Sequence, residues 1–235
     1  EGKRKSLITE IMHTYSLKNL SWDSGLRYKY SDTHNLYSYD IINDFDSKDQ
    51  NLYAYTQFSG NVKNIYYMGG IGINWVSFKE GGNSFYKVLY RPLGRIKYMP
   101  LDNFSMSYQF SMQPTIPSLS TLSGITKSLN RYEFETGNSA LHPYDNIKHK
   151  LSLSWNPNRW YISLNYNIES AKNLFAPGIY CQNGKLGYQH INFDSKTVSK
   201  IDFYTSFDII KDMLFIDGYI SYNYYKFRIE DETFS

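Results

Sequence analysis

Five histidines, His13, His34, His142, His149 and His190, are the side chains best suited to proton transfer or metal ligation, and they lie scattered along the chain. None falls in a metal-ligand or nucleophile motif. The one pairing with catalytic potential is Asp32 with His34, because a carboxylate that orients an imidazole lets it activate water. A hydrolytic site is one reading of that pair; an exposed polar loop is the other. The same stretch holds Asp40, Asp44, Asp46 and Asp49, oxygen donors of the kind calcium accepts, but no EF-hand glycine or terminal glutamate follows them. Solvation of an acidic loop explains them better. Cys181 is the only cysteine, so an internal disulfide and a thiolate zinc site are both excluded. Flanked by Gly178, Asn183 and Gly184, it reads as an incidental loop thiol. Nothing in the chain calls for a cofactor, and catalysis is not expected.

Composition points elsewhere. Aromatic residues make up 18% of the 235 positions, with 24 Tyr, 14 Phe and 4 Trp, a bias that favours strands and interfaces over helices. No apolar stretch approaches the roughly 20 residues a membrane-spanning helix needs, and the basic start Glu1-Gly2-Lys3-Arg4-Lys5 leads into no signal-peptide core. A strand-built membrane protein is compatible with this, since its strands meet lipid only at every second residue. The net charge of +3 is too small and too evenly spread to argue for nucleic acid.

Alternation of apolar and polar residues marks the elements. Trp160, Ile162, Leu164, Tyr166 and Ile168 oppose Tyr161, Ser163, Asn165, Asn167 and Glu169, and Phe104 to Met112 alternates in the same way. Comparable faces run through Leu20 to Tyr30, Ile201 to Ile209 and Leu214 to Tyr224. Two further strands are expected around Leu7 to Tyr15 and Leu52 to Gly60, where neither face is plainly the apolar one. Short links fall at Ser16 to Asn19, Gly60 to Asn64, Met99 to Asn103, Asn156 to Arg159 and Ile210 to Asp212. Long ones fall between them, at Ser31 to Gln50, Lys79 to Tyr90, Gln113 to Asn146 and Ser170 to Gln189.

That regular switching is the habit of bacterial outer-membrane barrels, which turn tightly on the periplasmic side and loop outside, and it implies about ten antiparallel strands. Ser, Asn, Gln and Gly dominate several polar faces, which suits a crowded wet lumen. Trp22, Tyr66, Tyr98, Trp155 and Trp160 lie near the short turns, where an interfacial girdle sits, and Tyr30, Tyr53, Trp75, Phe78 and Tyr224 lie near the opposite ends. Charges expected to face the lumen include Arg27, Lys29, Lys148, Lys150, Glu169, Asp202, Asp208 and Asp217. They would hold a plug or line a solute path. A soluble β-sandwich or lipocalin-like barrel accounts for the aromatics but not for the loop rhythm.

Particular stretches add a family likeness. Leu52-Tyr53-Ala54-Tyr55-Thr56-Gln57-Phe58-Ser59-Gly60 followed by Tyr67-Met68-Gly69-Gly70-Ile71-Gly72-Ile73-Asn74-Trp75 resembles a hairpin of the TonB-dependent receptor superfamily, in the branch named the outer membrane protein beta-barrel family. Phe104 to Met112 with Gln113-Pro114-Thr115-Ile116-Pro117-Ser118-Leu119-Ser120-Thr121-Leu122 resembles its strand and following loop. Gly137-Asn138-Ser139-Ala140-Leu141-His142-Pro143 is similar to the family's Gly-Asn-Pro-x-Leu-x-Pro stretch. Physically, Gly137 and Asn138 would supply positive-φ positions, Leu141 would anchor the loop and Pro143 would stiffen the approach to the next strand. Ser139 departs from the family's proline, and Ser111-Met112-Gln113 departs from its arginines.

The resemblance implies that residues 1–235 are part of a transmembrane β-barrel of about 22 strands, with a plug and closing strands outside this stretch. It implies a receptor or transporter for energised uptake of a scarce solute. Its partners would be outer-membrane lipid, a TonB-type energy-coupling protein acting through the plug, and in some systems a surface lipoprotein. A passive porin, a structural barrel of an outer-membrane assembly and a rim-site hydrolase are the alternatives.

Overall fold

The computed structural model describes residues 2–38, 42–80, 83–122, 126–210, 213–229 and 232–234. Nearly all of them are strand. The first six strands follow one another as hairpins: β1 (Gly2–Leu17), β2 (Leu20–Ser38), β3 (Ile42–Val62), β4 (Ile65–Glu80), β5 (Asn83–Leu101) and β6 (Phe104–Thr115). A one-turn helix α1 (Leu119–Leu122) and the short strands β7 (Thr126–Ser128) and β8 (Glu133–Thr136) come next, then β9 (Tyr144–Trp155) and β10 (Trp160–Lys172). The hairpin β11 (Phe175–Gln182) and β12 (Lys185–Asn192) precedes β13 (Ser195–Ile210), β14 (Leu214–Ile229) and β15 (Glu232–Phe234). The main sheet has eleven strands in the order β1-β2-β3-β4-β5-β6-β9-β10-β13-β14-β15, and every pairing within it is antiparallel.

Register assigns each side chain to a face, because successive residues of a strand point to opposite sides. One face carries Leu26, Ala54, Ile73 and Tyr90 across β2 to β5, and Tyr108, Leu151, Tyr166 and Ile201 across β6 to β13. Leu26, Ile73, Tyr90, Tyr108, Leu151, Tyr166 and Ile201 are all exposed. Apolar side chains in a continuous exposed layer are what a hydrocarbon surrounding requires and water disfavours. The other face carries Arg27, Tyr53, Asn74, Gln109, Lys150, Asn167 and Lys200 and is predominantly polar.

The expected strands around Leu7 to Tyr15 and Leu52 to Gly60 are present, the first as the centre of β1 and the second as the latter half of β3. Their mixed patterns have a plain cause: Ile8 and Met12 share the polar face, and Tyr53 and Tyr55 occupy it where glycines leave room. The short connections are as tight as expected, with two-residue turns at 18–19 and 63–64 and Lys63 in the left-handed region at φ 52. Neighbouring turns are laced together: Asn61 N donates to Asn19 O at 3.1 Å, Met99 N to Asn64 O at 2.8 Å, Asn156 N to Asn103 O at 2.7 Å and Asp208 N to Arg159 O at 2.9 Å.

The long connections differ from their expected form. Ser31 to Gln50 is mostly strand, since β2 runs to Ser38 and pairs with β3 from Ile42 onward. Lys79 to Tyr90 is likewise taken up by the ends of β4 and β5, paired to Glu80↔Asn83. Polar sequence conceals these extensions, because backbone pairing needs no apolar side chain once both faces are wet. Ser170 to Gln189 contains the β11–β12 hairpin, turned at Asn183 (φ 53) and Gly184 (φ 73), the Asn-Gly pair that such two-residue turns favour.

Candidate functional site

Both remaining long connections, between β6 and β9 and between β10 and β13, fold into one unit at the end of the sheet away from the short turns. Its four strands run β11-β12-β8-β7, with β12 parallel to β8. Parallel neighbours cannot be joined by a tight turn, so this pairing ties together segments some fifty residues apart, such as Leu186 and Glu133. Gly187 makes the closeness possible: a Cβ there would lie 2.5 Å from the Tyr180 ring and 2.7 Å from that of Phe134. Tyr188 Oη donates to Glu133 Oε1 at 3.0 Å, and that bond raises the Tyr188 phenol pKa above its ordinary value.

The stretch from Gly137 to Pro143 is the hub of this unit. Leu141, at 1% exposure, packs with Phe78 and Leu122, with Phe85 and Phe175 against the same cluster. Asn138 receives the Ala140 N–H on Oδ1 at 3.0 Å and donates through Nδ2 to His190 O at 2.9 Å, while Gln189 Nε2 donates to Gly137 O at 3.1 Å. Neither Gly137 nor Asn138 has the positive φ expected of it. The Asx turn supplied by the Asn138 side chain makes the bend with ordinary backbone angles. Pro143 leads directly into β9 at Tyr144.

Because Phe78 and Phe85 stand on the polar face of β4 and β5, the unit is anchored on that face. Next to the anchor lies a cationic wall. Lys87, Arg91, Arg95 and Lys97 project from alternate positions of β5, and Lys148 and Lys150 from β9, all on the polar face. Arg27 and Lys29 extend it on β2. Among the described side chains of that face, β4, β5, β6 and β9 contribute no carboxylate. Among the described residues, compensation comes from neighbouring strands: Lys29 Nζ lies 3.7 Å from Asp49 Oδ2, and Lys148 Nζ 3.2 Å from Glu169 Oε2, which also accepts from Asn146 at 2.9 Å through Oε1.

Within this wall, Arg27, Lys29, Asn51, Tyr53, Asn74 and Arg91 line a pocket of about 240 Å³. The Arg91 guanidinium sits 5.2 Å over the centre of the Tyr53 ring, and Tyr53 in turn lies over Gly72, where a Cβ would come within 2.6 Å of it. Asn74 is 2% exposed; its Oδ1 and the Arg91 Nε are buried and have no hydrogen-bond partner.

Sequence reasoning placed Arg27, Lys29, Lys148, Lys150, Glu169, Asp202, Asp208 and Asp217 on one face, and register puts them there. It missed the four cations of β5. Their signal is the alternation from Lys87 to Lys97, in which Leu89 and Leu93 share the cationic face and blur the pattern. Trp22, Tyr98, Trp155 and Trp160 stand on the apolar face, where Trp22 stacks on Phe58 at 5.9 Å and Trp160 lies tilted against Phe207 at 4.6 Å. Tyr66 faces the other way, opposite Lys97, and Tyr67 is the outward tyrosine of that strand. Tyr53 and Phe78 also stand on the polar face, while Tyr30, Trp75 and Tyr224 stand on the apolar one.

Asp32 and His34 do not meet as a pair. His34 Nδ1 lies 2.9 Å from Asp46 Oδ1 across the β2–β3 ladder, and Asp32 stands opposite Lys48. Asp46 and Asp49 are three residues apart on β3 and point to opposite faces, so they share no cation. Asp40 and the side chain of Asp44 lie outside the described residues. Cys181 is exposed on β11.

No protein-family model and no curated protein matches this sequence. The fold, by contrast, is well represented among solved structures. The copper transporter OprC superimposes with a TM-score of 0.77 at 12% identity, over 99% of this chain and 39% of that one. The FrpB iron transporter from Neisseria meningitidis gives 0.68 at 10% identity, over 100% and 37%. The ferric enterobactin receptor PfeA from Pseudomonas aeruginosa, solved in complex with enterobactin, gives 0.69 at 11% identity, over 95% and 36%. The fold is therefore that of part of the β-sheet wall of these transporters. The chain spans less than two fifths of the length of these three, and at such identity the likeness is one of fold.

Proposed function

We propose that this chain is part of the barrel of a bacterial outer-membrane receptor that takes up a scarce solute with energy supplied by a TonB-type protein. The observation that carries the reading is the division of one long-stranded sheet into an exposed apolar face and a charged polar face, with a folded loop unit anchored on the polar side. Such a wall suits lipid outside and an occupied wet lumen inside. Trp22, Tyr98, Trp155 and Trp160 would then sit at the periplasmic interface, where amphipathic rings are favoured. Outer-membrane lipid is the first partner; the coupling protein acts through a plug, and a surface lipoprotein is a further partner at the outer loops. The chemistry is displacement of the plug, with no bond made or broken.

The test uses the full-length protein. Fractionation should recover it in the outer membrane as a species whose gel mobility changes on boiling, and the purified periplasmic domain of the coupling protein should bind it in detergent solution. Recovery outside the outer membrane would overturn the proposal. Residence there without binding of the coupling domain would replace it by a passive porin or a structural barrel.

A further inference from the structure

We infer that Arg27, Lys29 and Arg91, gathered around Tyr53 and the Asn74 amide, form a binding site for an oxyanion, a carboxylate or phosphate group held on the polar wall. The inference rests on the transport-barrel reading and deepens it, since it names the chemistry of what the lumen receives.

Three features of the pocket point to a ligand. Arg27 and Arg91 have no carboxylate within ion-pair distance among the described residues, although Glu10 stands opposite Arg27 on β1. Surplus positive charge on β5 and β9, extended by Arg27 and Lys29 of β2, raises the local concentration of anions. The Arg91 Nε–H is buried without an acceptor, and buried donors of charged groups are rarely left so. Asn74 is buried and its Oδ1 is unpartnered; rotation of its amide presents either a donor or an acceptor to the same space.

Geometry narrows the class. The Arg91 guanidinium lies 5.2 Å over the Tyr53 ring, and a guanidinium held in this way is the group whose forked donors suit carboxylate and phosphate. The pocket, at about 240 Å³, falls below the range that encloses a drug-sized ligand, so it suits one charged group of a larger molecule or a small polyanion. Phe78 lies four residues along β4 from Asn74, roughly 13 Å at strand spacing, so the site opens beside the anchored loop unit. The oxyanion has two sources, a free solute or a carboxylate side chain of a segment that fills the lumen of the whole protein.

Calorimetric titration of the full-length protein in non-ionic detergent with citrate and with inorganic phosphate decides among these. If the source is a solute, at least one probe binds, high salt weakens it, and Arg91→Gln lowers affinity by about tenfold or more, while Lys18→Gln, in the short turn between β1 and β2, stays within about twofold. If the source is the protein's own carboxylate, neither probe binds, and Arg91→Gln lowers the thermal midpoint at low salt but not at high salt. Absence of both effects overturns the inference. So does probe binding that Arg91→Gln leaves unchanged. Outer-membrane residence of the same variants is scored separately: a resident protein with neither effect sinks the oxyanion site and leaves the transport reading intact, and anion binding by a protein found elsewhere does the reverse.

Discussion

At Gly60 the room for a side chain is taken by backbone. A Cβ would lie 2.5 Å from Asn19 O, a carbonyl held by the Asn61 N–H, and 2.6 Å from the Tyr67 hydroxyl. At Gly69, on the same apolar face, nothing lies within 4 Å. Gly60→Ala should therefore cost about 1–3 kcal/mol, while Gly69→Ala should be neutral or slightly stabilising through the unfolded chain. Urea titration followed by the heat-sensitive gel shift compares them, and equal effects would contradict the steric argument. Tyr188 offers a pH test. Its bond to Glu133 favours the protonated phenol in the fold, so the contribution is complete below the ordinary value of 10.0 and is lost as pH rises through the elevated one. A spectrophotometric phenol titration, differenced against Tyr188→Phe, should show the missing phenol ionising above that value.

Single elements show how the outer unit is held. The α1 turn and the strands β7 and β8 are too short to be stable alone, and they persist because Leu141 and Leu122 close on Phe78. Leu141→Ala should cost about 2–5 kcal/mol, felt locally, because a buried leucine leaves a cavity the cluster only partly fills. Arg131 is exposed between β7 and β8, so trypsin should cut there faster in the variant while the long strands keep their unfolding midpoint. Unchanged cutting would mean that the parallel β8–β12 pairing alone holds the unit.

For the molecule as a whole, the two faces make opposite demands on substitution. Leu164 stands on the apolar face of β10 four residues above the short turn, and Ser163 stands beside it on the polar face. In a lipid-facing wall Leu164→Arg should cost roughly 2–4 kcal/mol near mid-membrane, whereas Ser163→Arg meets water and should change little. Folded yield in the outer membrane reads the difference. Equal tolerance at both positions would argue against lipid on the apolar face.

The long antiparallel strands of the main sheet, about ten expected and eleven found, and the positions of the short turns were legible in the sequence, because period-two alternation and turn chemistry are local properties of consecutive residues; the four-stranded outer sheet with its parallel β8–β12 pair was not. The same alternation put Arg27, Lys29, Lys148 and Lys150 on one face without any structure. What it could not show were contacts between distant segments. The extension of β2 and β3 through Asp32 and Asp49 depends on cross-strand pairing, which polar residues support without a periodic mark. The placing of Tyr53, Tyr66 and Phe78 on the polar face depends on register, and for Tyr53 also on Gly72 in the neighbouring strand. Only the tertiary structure seats Leu141 on Phe78, and only it carries Arg91 over Tyr53 and beside Asn74, since each of these meetings is made across strands or between loops rather than along the chain.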